Sequence, residues 1–393
     1  MSDLRALLPA LANKTYFNYG GQGPLPTPSL EAIVHTWRRL QELGPFTEAV
    51  WPMVGGLTSG LRGRLARWCG VSADRIALTE NVSAGCVLPL WGLPWQAGDE
   101  ILIGDAEHPG VVAACHELAR RQQLSLATLA VRDLPGDQAE ADAAALEALE
   151  RSLTPRTRLV VLSHLLWNSG RLLPIPAVAQ RLAAHPRQPW LLVDAAQSFG
   201  SVPVAAAAAA ADIYAFTGHK WCCGPEGLGA VVLSPRLLAE GRPTLIGWRS
   251  LRNENAAADS FHDDGRRFEV ATSCTPLLAG LDSSLELLEA EGSDETRLER
   301  IQERSGGLWR GLRELPAARS LLPCEPPAGL VSFTLHRRDG GAIDPASVVR
   351  SLGERGIWLR SLPDPACLRA CTHLTTTEEE VVRLLQALAE LGK

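Results

Sequence analysis

Between Arg75 and Ser234 the chain repeats one pattern: a short apolar run, a polar turn, a helical stretch, then the next run. Seven such runs lie at 76–79, 100–104, 125–131, 158–163, 190–194, 213–217 and 229–233. Most are continuously apolar instead of alternating, which suits strands covered on both faces by helices. The pattern therefore predicts an α/β doubly wound domain on a mostly parallel, seven-stranded sheet. Open sheets of this kind hold ligands beyond the carboxyl ends of their strands. The residues just after each run are accordingly where chemistry is sought.

The flanking regions read differently. The chain opens on an irregular arm, residues 1–20, and Asn18-Tyr19-Gly20-Gly21-Gln22-Gly23-Pro24 is dense in turn formers. Helical patterns follow over 30–43 and 56–68, and the alanine run 205–211 predicts a short surface helix between two strands. Residues 249–267 turn polar and charged, as a linker and loop region does. Beyond it the pattern predicts helices over 275–291, 294–315 and 345–355, and strands at 330–335 and near 358–360. A closing helix opens at Thr376-Thr377-Glu378-Glu379-Glu380, an N-cap followed three residues on by glutamate. The expected organisation is an arm (1–20) packing with the small domain, a large domain (21–255) and a smaller α+β domain (256–393), within the reach of a 393-residue chain.

Charge and composition narrow the partners. A net charge of −6 is the wrong sign for a phosphate backbone, so nucleic acid is not expected. No apolar run approaches the ~20 residues that span a bilayer, and Asp3 sits where a signal peptide carries only basic residues. A cytoplasmic location with no membrane partner is the expectation. The nine cysteines are scattered and none forms a CxxC pair, so no metal site is expected.

Of 38 basic residues only Lys14, Lys220 and Lys393 are lysines. Arginine serves almost everywhere a surface cation would do, so an internal lysine is suspected of work arginine cannot perform. Arginine stays protonated, whereas a desolvated lysine can lose its proton and attack an aldehyde. Lys220 stands in Thr217-Gly218-His219-Lys220, directly after the run at 213–217. Asp194 closes the run at 190–194, 26 residues earlier, where an acid can pair with a pyridinium nitrogen. Glu80-Asn81-Val82-Ser83-Ala84-Gly85 follows another run and opens a helix, a place for a phosphate on backbone N–H groups. His108 follows a fourth run and could stack on a flat ring.

Phosphate turn, stacking ring, acid and lysine stand in that order, and with them the sequence resembles the class V aminotransferase group of pyridoxal-phosphate enzymes of fold type I. The motifs that carry the likeness are Val193-Asp194-Ala195-Ala196-Gln197-Ser198 and Thr217-Gly218-His219-Lys220. Within the group the likeness is greatest to the cyst(e)ine C–S lyases, through segments 11–18, 163–168 and 247–250. The resemblance implies that Lys220 carries the cofactor as a Schiff base, Asp194 pairs with the ring nitrogen and His108 stacks on the ring. It further implies that Gln197 reaches the phenolic oxygen, and that Ser83, Ala84, Thr217, His219 and Thr272 of a partner subunit serve the cofactor. Arg369 would grip the substrate's α-carboxylate, and Arg360, in the same element, a second carboxylate. Trp167 stands where many relatives carry asparagine, and Asn168 is the expected substitute.

The group's cysteine desulfurases carry a nucleophilic cysteine on a mobile loop before that arginine. Here only Ser361-Leu362-Pro363-Asp364-Pro365-Ala366-Cys367-Leu368 separates Arg360 from Arg369, short and stiffened by two prolines. A persulfide on Cys367 is therefore not expected. The expectation is a homodimeric lyase that performs β-elimination on cystine or cysteine, with a sulfur acceptor as a further partner. The alternative is a cysteine desulfurase that releases alanine.

Overall fold

A computed structural model describes residues 3–253 and 260–392. In chain order the strands are β1 (Thr15–Tyr16), β2 (Ile76–Thr79), β3 (Glu100–Gly104), β4 (Ser125–Leu129), β5 (Thr157–Ser163), β6 (Trp190–Asp194), β7 (Ile213–Thr217), β8 (Gly229–Leu233), β9 (Ala318–Ser320), β10 (Leu330–Leu335), β11 (Ile357–Trp358), β12 (Arg360–Pro363) and β13 (Ala366–Cys371). The helices are α1 (Asp3–Ala6), α2 (Thr27–Leu43), α3 (Val50–Trp68), α4 (Val82–Trp91), α5 (Pro109–Gln122), α6 (Gln138–Ser152), α7 (Ile175–Ala184), α8 (Ala205–Ala210), α9 (Pro235–Glu240), α10 (Thr275–Glu289), α11 (Asp294–Glu314), α12 (Pro345–Glu354) and α13 (Glu378–Leu391).

Seven strands form one sheet in the order β2-β8-β7-β6-β5-β3-β4. Neighbours run parallel except around β8, which is antiparallel to both β2 and β7. The strands β2, β3, β6, β7 and β8 are buried at every position, as continuous apolar runs require. Two apolar clusters cover the sheet, one built on residues such as Leu102, Val193 and Phe216, the other on Ile101, Leu192 and Val231. Alternate residues along each strand thus enter opposite cores, the period-two rule of a strand.

A second sheet, β12-β13-β10-β9, is antiparallel throughout. Helices α11, α12 and α13 supply Leu308, Leu352 and Leu384 to its own core. Helix α13 opens with a capping box between Thr377 and Glu380, as its sequence predicts. The N-terminal arm joins this unit: β1 pairs parallel with β11, and Phe17 is fully buried in the same core.

Several boundaries differ from expectation. The run at 125–131 leaves the sheet at Leu129, because Asp105 Oδ1 takes the N–H groups of both Val131 and Arg132 at 2.8 Å. The strand expected near 358–360 is two strands, since Trp358 pairs with β1 whereas Arg360 pairs with β13. Helix α10, expected in the smaller unit, buries Leu278, Leu281 and Leu285 in the core of the large sheet and packs on α2 and α3. The large unit therefore reaches past residue 255. Part of the expected loop region, 254–259, lies outside the described residues. No described helix is long and apolar enough to cross a membrane, and no described cluster of His, Cys, Asp and Glu could hold a metal ion.

Candidate active site

Strand ends on one edge of the large sheet meet the β12–β13 hairpin and the N-terminal arm around a cavity of about 260 Å³. Lys220, Asp194, His108, Gln197, His219 and Ser83 line it, with Arg360 and Arg369. Three larger clefts, of about 730, 580 and 470 Å³, contain none of these groups. The loops after β3, β6 and β7 converge here because parallel strands put their carboxyl ends on one side of the sheet, and the arm at Gly20 and strand β13 at Arg369 close the cavity from the other side.

Lys220 ends the turn after β7, and no described group hydrogen-bonds its amine. Burial pushes its pKa down to about 8; the guanidinium groups of Arg369 and Arg360 push the same way, against Asp194. Asp194 is buried, with Oδ1 accepting the Ala196 N–H at 2.9 Å and no described donor on Oδ2. His108 caps α5, its Nδ1 accepting the Gly110 N–H at 3.2 Å. Its ring meets Trp167 edge-on at 5.7 Å and 68°. Burial lowers the His108 pKa, which favours the neutral imidazole.

Gln197 is held from two sides: Nε2 donates to Gly20 O at 2.9 Å and Oε1 accepts from Trp221 Nε1 at 3.0 Å. That contact needs glycine at 20, because a Cβ there would stand 2.8 Å from both Gln197 Oε1 and Cys371 Sγ. Thr217 stands behind the cavity and bonds His219 Nδ1 through Oγ1 at 2.7 Å. At the start of α4, Asn81 Oδ1 accepts the Ala84 N–H at 2.9 Å. Ala84 therefore has no free N–H to offer, and the unpaired amides of that first turn belong to Val82 and Ser83.

Arg360 and Arg369 are opposite each other across β12 and β13. Arg369 is buried, donates from Nη1 to the Trp167 carbonyl at 2.9 Å, and has Nε and Nη2 without any acceptor. Burial lowers its pKa, an expensive state for a cation that no carboxylate of the described chain relieves. Arg360 is exposed at the cavity rim, also without an acidic partner among the described residues.

Four expected residues do not line the cavity: Ala84 and Thr217, already placed, and Asn168 and Thr272. Asn168 is buried behind it, with Oδ1 accepting the Ser169 N–H at 2.9 Å, and the wall at this point is Trp167. Thr272 is exposed in the segment before α10. Sequence reading missed Ser163, which ends β5 beside Asp194 and lines the cavity. Its position at a strand end was the available signal. It missed Gly20 and Trp167 as wall residues because the paths of their loops carry no periodic pattern.

These groups suit pyridoxal phosphate by their own chemistry. A desolvated amine without a partner can take an aldehyde, a carboxylate with a free oxygen can take a protonated ring nitrogen, and free helix N–H groups can take a phosphate. The orphaned N–H groups of Arg369 call for an anion in the same cavity.

Comparison with known proteins points the same way. Residues 56–384 match the family described as aminotransferase class-V. Isopenicillin N epimerase of Streptomyces clavuligerus is 32% identical over 387 residues, 95% of this chain and 94% of that protein. The cysteine desulfurase of Dickeya dadantii strain 3937 is 29% identical over 76% of this chain and 71% of its own length. The solved complex between the cystine C–S lyase C-DES and its reaction product cysteine persulfide is 43% identical. It superposes with a TM-score of 0.92 over 98% of this chain and 100% of that one. A C-DES mutant with glycine covalently linked to its pyridoxal-phosphate cofactor is 42% identical, with a TM-score of 0.91. A match this long, on a sheet and a lysine site of this form, makes the chain a member of the class-V aminotransferase family on the fold-type-I scaffold, with pyridoxal phosphate as cofactor.

Proposed function

We propose that the protein is a C–S lyase that performs β-elimination on cystine, yielding pyruvate, ammonia and a persulfide. The observation that carries this reading is the arginine pair. Two guanidinium groups without acidic partners face one cavity from opposed positions on β12 and β13, and no described cysteine lines it. Cystine is an amino acid with a carboxylate at each end. Arg369, desolvated and orphaned, suits the α-carboxylate of the reacting half, and Arg360 at the rim suits the distal one.

Bound pyridoxal phosphate supplies the electron sink for the pair released at Cα. Lys220 Nζ is the base for the α-proton, suited by a pKa of about 8. With the cofactor bound, Asp194 Oδ2 would hold the proton on the ring nitrogen, His108 would cover one face of the ring, and Gln197 would serve the phenolic oxygen. Val82 and Ser83 of α4, with His219, would hold the phosphate. The Cβ–S bond breaks with the electron pair on sulfur, which departs as the cysteine persulfide. The three-carbon remainder takes up water and ends as pyruvate and ammonia. A homodimer, with Thr272 brought to the phosphate of the partner's site, and a separate acceptor for the persulfide sulfur belong to the same proposal.

A desulfurase needs a thiolate that reaches the substrate. Cys367 is fully buried on β13, and burial pushes its thiol up to about 11. Strand pairing runs through Pro363 and Ala366, so only Asp364 and Pro365 bridge the hairpin. Such a turn cannot swing a cysteine into the cavity. The deciding experiment is product analysis with cystine. Pyruvate in step with substrate loss supports the lyase; alanine would make it a desulfurase, and recovery of the inverted amino acid an epimerase.

A further inference from the structure

Glu107 is a buried acid beside the cavity to which neither the fold nor the proposed reaction assigns a task. Strand β3 ends at Gly104, while β5 continues to Ser163 beyond its last β3 partner. The next residue, His164, donates its N–H to Asp194 of β6 at 3.0 Å, so the Ser163 N–H points to the β3 side, where no strand remains. Glu107 takes its place: Oε1 accepts that N–H at 2.7 Å, and Oε2 bonds the Ser163 hydroxyl at 2.7 Å. The space exists because residue 104 is glycine; a Cβ there would lie 2.7 Å from Glu107 Oε1.

We propose that Glu107 is a positioning residue of the cofactor site: it ties the turn that bears His108 to the end of β5, and so fixes where the imidazole stands over the cofactor ring. This role concerns cofactor binding alone and holds whichever reaction the site performs. His108 follows Glu107 directly, and its own side-chain bond reaches no farther than Gly110. The backbone from which the ring hangs is therefore anchored by its neighbour. Ser163, the other end of the tie, faces the cavity and pairs in register with Asp194. One carboxyl group thereby links the stacking ring to the strand ends beneath the cofactor.

Burial pushes the Glu107 carboxyl up to about 8, with Asp194 and Asp105 adding to the rise. Cys86 of α4 and Cys115 of α5 face it as well, both thiols raised by burial. The Ser163 hydroxyl donates to Glu107 Oε2; a glutamine would keep the carbonyl for the Ser163 N–H and donate its amide N–H to Ser163 Oγ, which accepts as readily as it donates. That equivalence makes the role testable.

Holoenzyme variants are compared by visible absorption and visible circular dichroism of the bound cofactor, and by its dissociation constant. Glu107→Gln should keep both spectra and bind the cofactor within about twofold of the parent. Glu107→Ala should lose roughly half of the visible dichroism and bind about tenfold more weakly, the scale of one or two lost hydrogen bonds. Ser163→Ala should move in the same direction by less. His108→Ala should also weaken the dichroism, and Glu107→Ala should add nothing to it in the double variant, since residues that act through one another are not additive. Additive effects, or parent dichroism in a Glu107→Ala protein that merely melts earlier, would overturn the role. Should Glu107→Ala fail to fold, parent-like dichroism in Ser163→Ala overturns it equally.

Discussion

Lys220 is a residue for which the sequence alone suggests a task, because the chain spends arginine so freely elsewhere. Its chemistry depends on a burial that sequence only implies. An ordinary lysine near 10.5 is almost wholly protonated at neutral pH, but at about 8 roughly a tenth of the amine is free at pH 7. We expect Lys220→Ala to lack the visible band that lysine-linked pyridoxal phosphate gives, and to turn over no substrate. Lys220→Arg should be as damaging, because it keeps the charge and loses the nucleophile. Capture of added cofactor by the parent apoprotein requires the neutral amine. Its rate should climb about tenfold between pH 6 and 7 and flatten above about 8, whereas an unperturbed lysine would carry the climb toward 10. A rate still rising steeply at pH 9.5 in stopped-flow absorbance would mean that Lys220 is not desolvated. The neighbouring choice between Trp167 and Asn168 was not legible in the same way. Which side chain faces the cavity depends on how the loop after Ser163 turns, and that loop is fixed by tertiary contacts such as Arg369 Nη1 to the Trp167 carbonyl.

At the scale of elements, the large sheet was legible almost strand by strand, since burial on both faces leaves an unambiguous apolar run. The β12–β13 hairpin was not. Its two prolines and its arginines interrupt any period-two pattern, and the sequence reads as one stretch with two arginines nine residues apart. Folded back on itself, the same stretch brings Arg360 opposite Arg369, a relation that spacing along one strand could never give. The pairing sharpens the expected behaviour of each position. Arg369→Ala should impair every amino-acid substrate, losing a charge-assisted bond of about 1.5–3 kcal/mol, or roughly ten- to a hundredfold in kcat/KM. Arg360→Ala should raise KM for cystine and leave cysteine nearly unchanged, because only cystine has a second carboxylate. Cys367→Ala, which removes a buried thiol from β13, should leave pyruvate formation from cystine nearly intact. If Cys367→Ala abolishes turnover while the cofactor stays bound, the thiol is a participant and the lyase reading fails.

At the scale of the whole molecule, several large apolar side chains are exposed. Trp37 on α2, Trp51 on α3, and Leu245, Ile246 and Trp248 are all more than 40% exposed. Exposed aromatic residues of this size mark protein interfaces, and Thr272 is exposed too, away from the cavity of its own chain. A two-fold dimer that covers this surface and carries Thr272 to the opposite phosphate accounts for both. Complementation tests that arrangement more strictly than sedimentation. Thr272→Glu sets a negative charge against the partner's phosphate, and Lys220→Ala disables its own subunit's site; each homodimer should be nearly inactive. Unfolded together and refolded as an equal mixture, the two variants form heterodimers in about half of the molecules if pairing is random. In each heterodimer the subunit with Lys220 receives an intact Thr272 from its partner, so one site of two is complete. The mixture should therefore recover about a quarter of parental activity, together with the visible absorption of bound cofactor in the same proportion. If Thr272 instead served its own chain, every subunit would carry one defect and mixing would restore nothing.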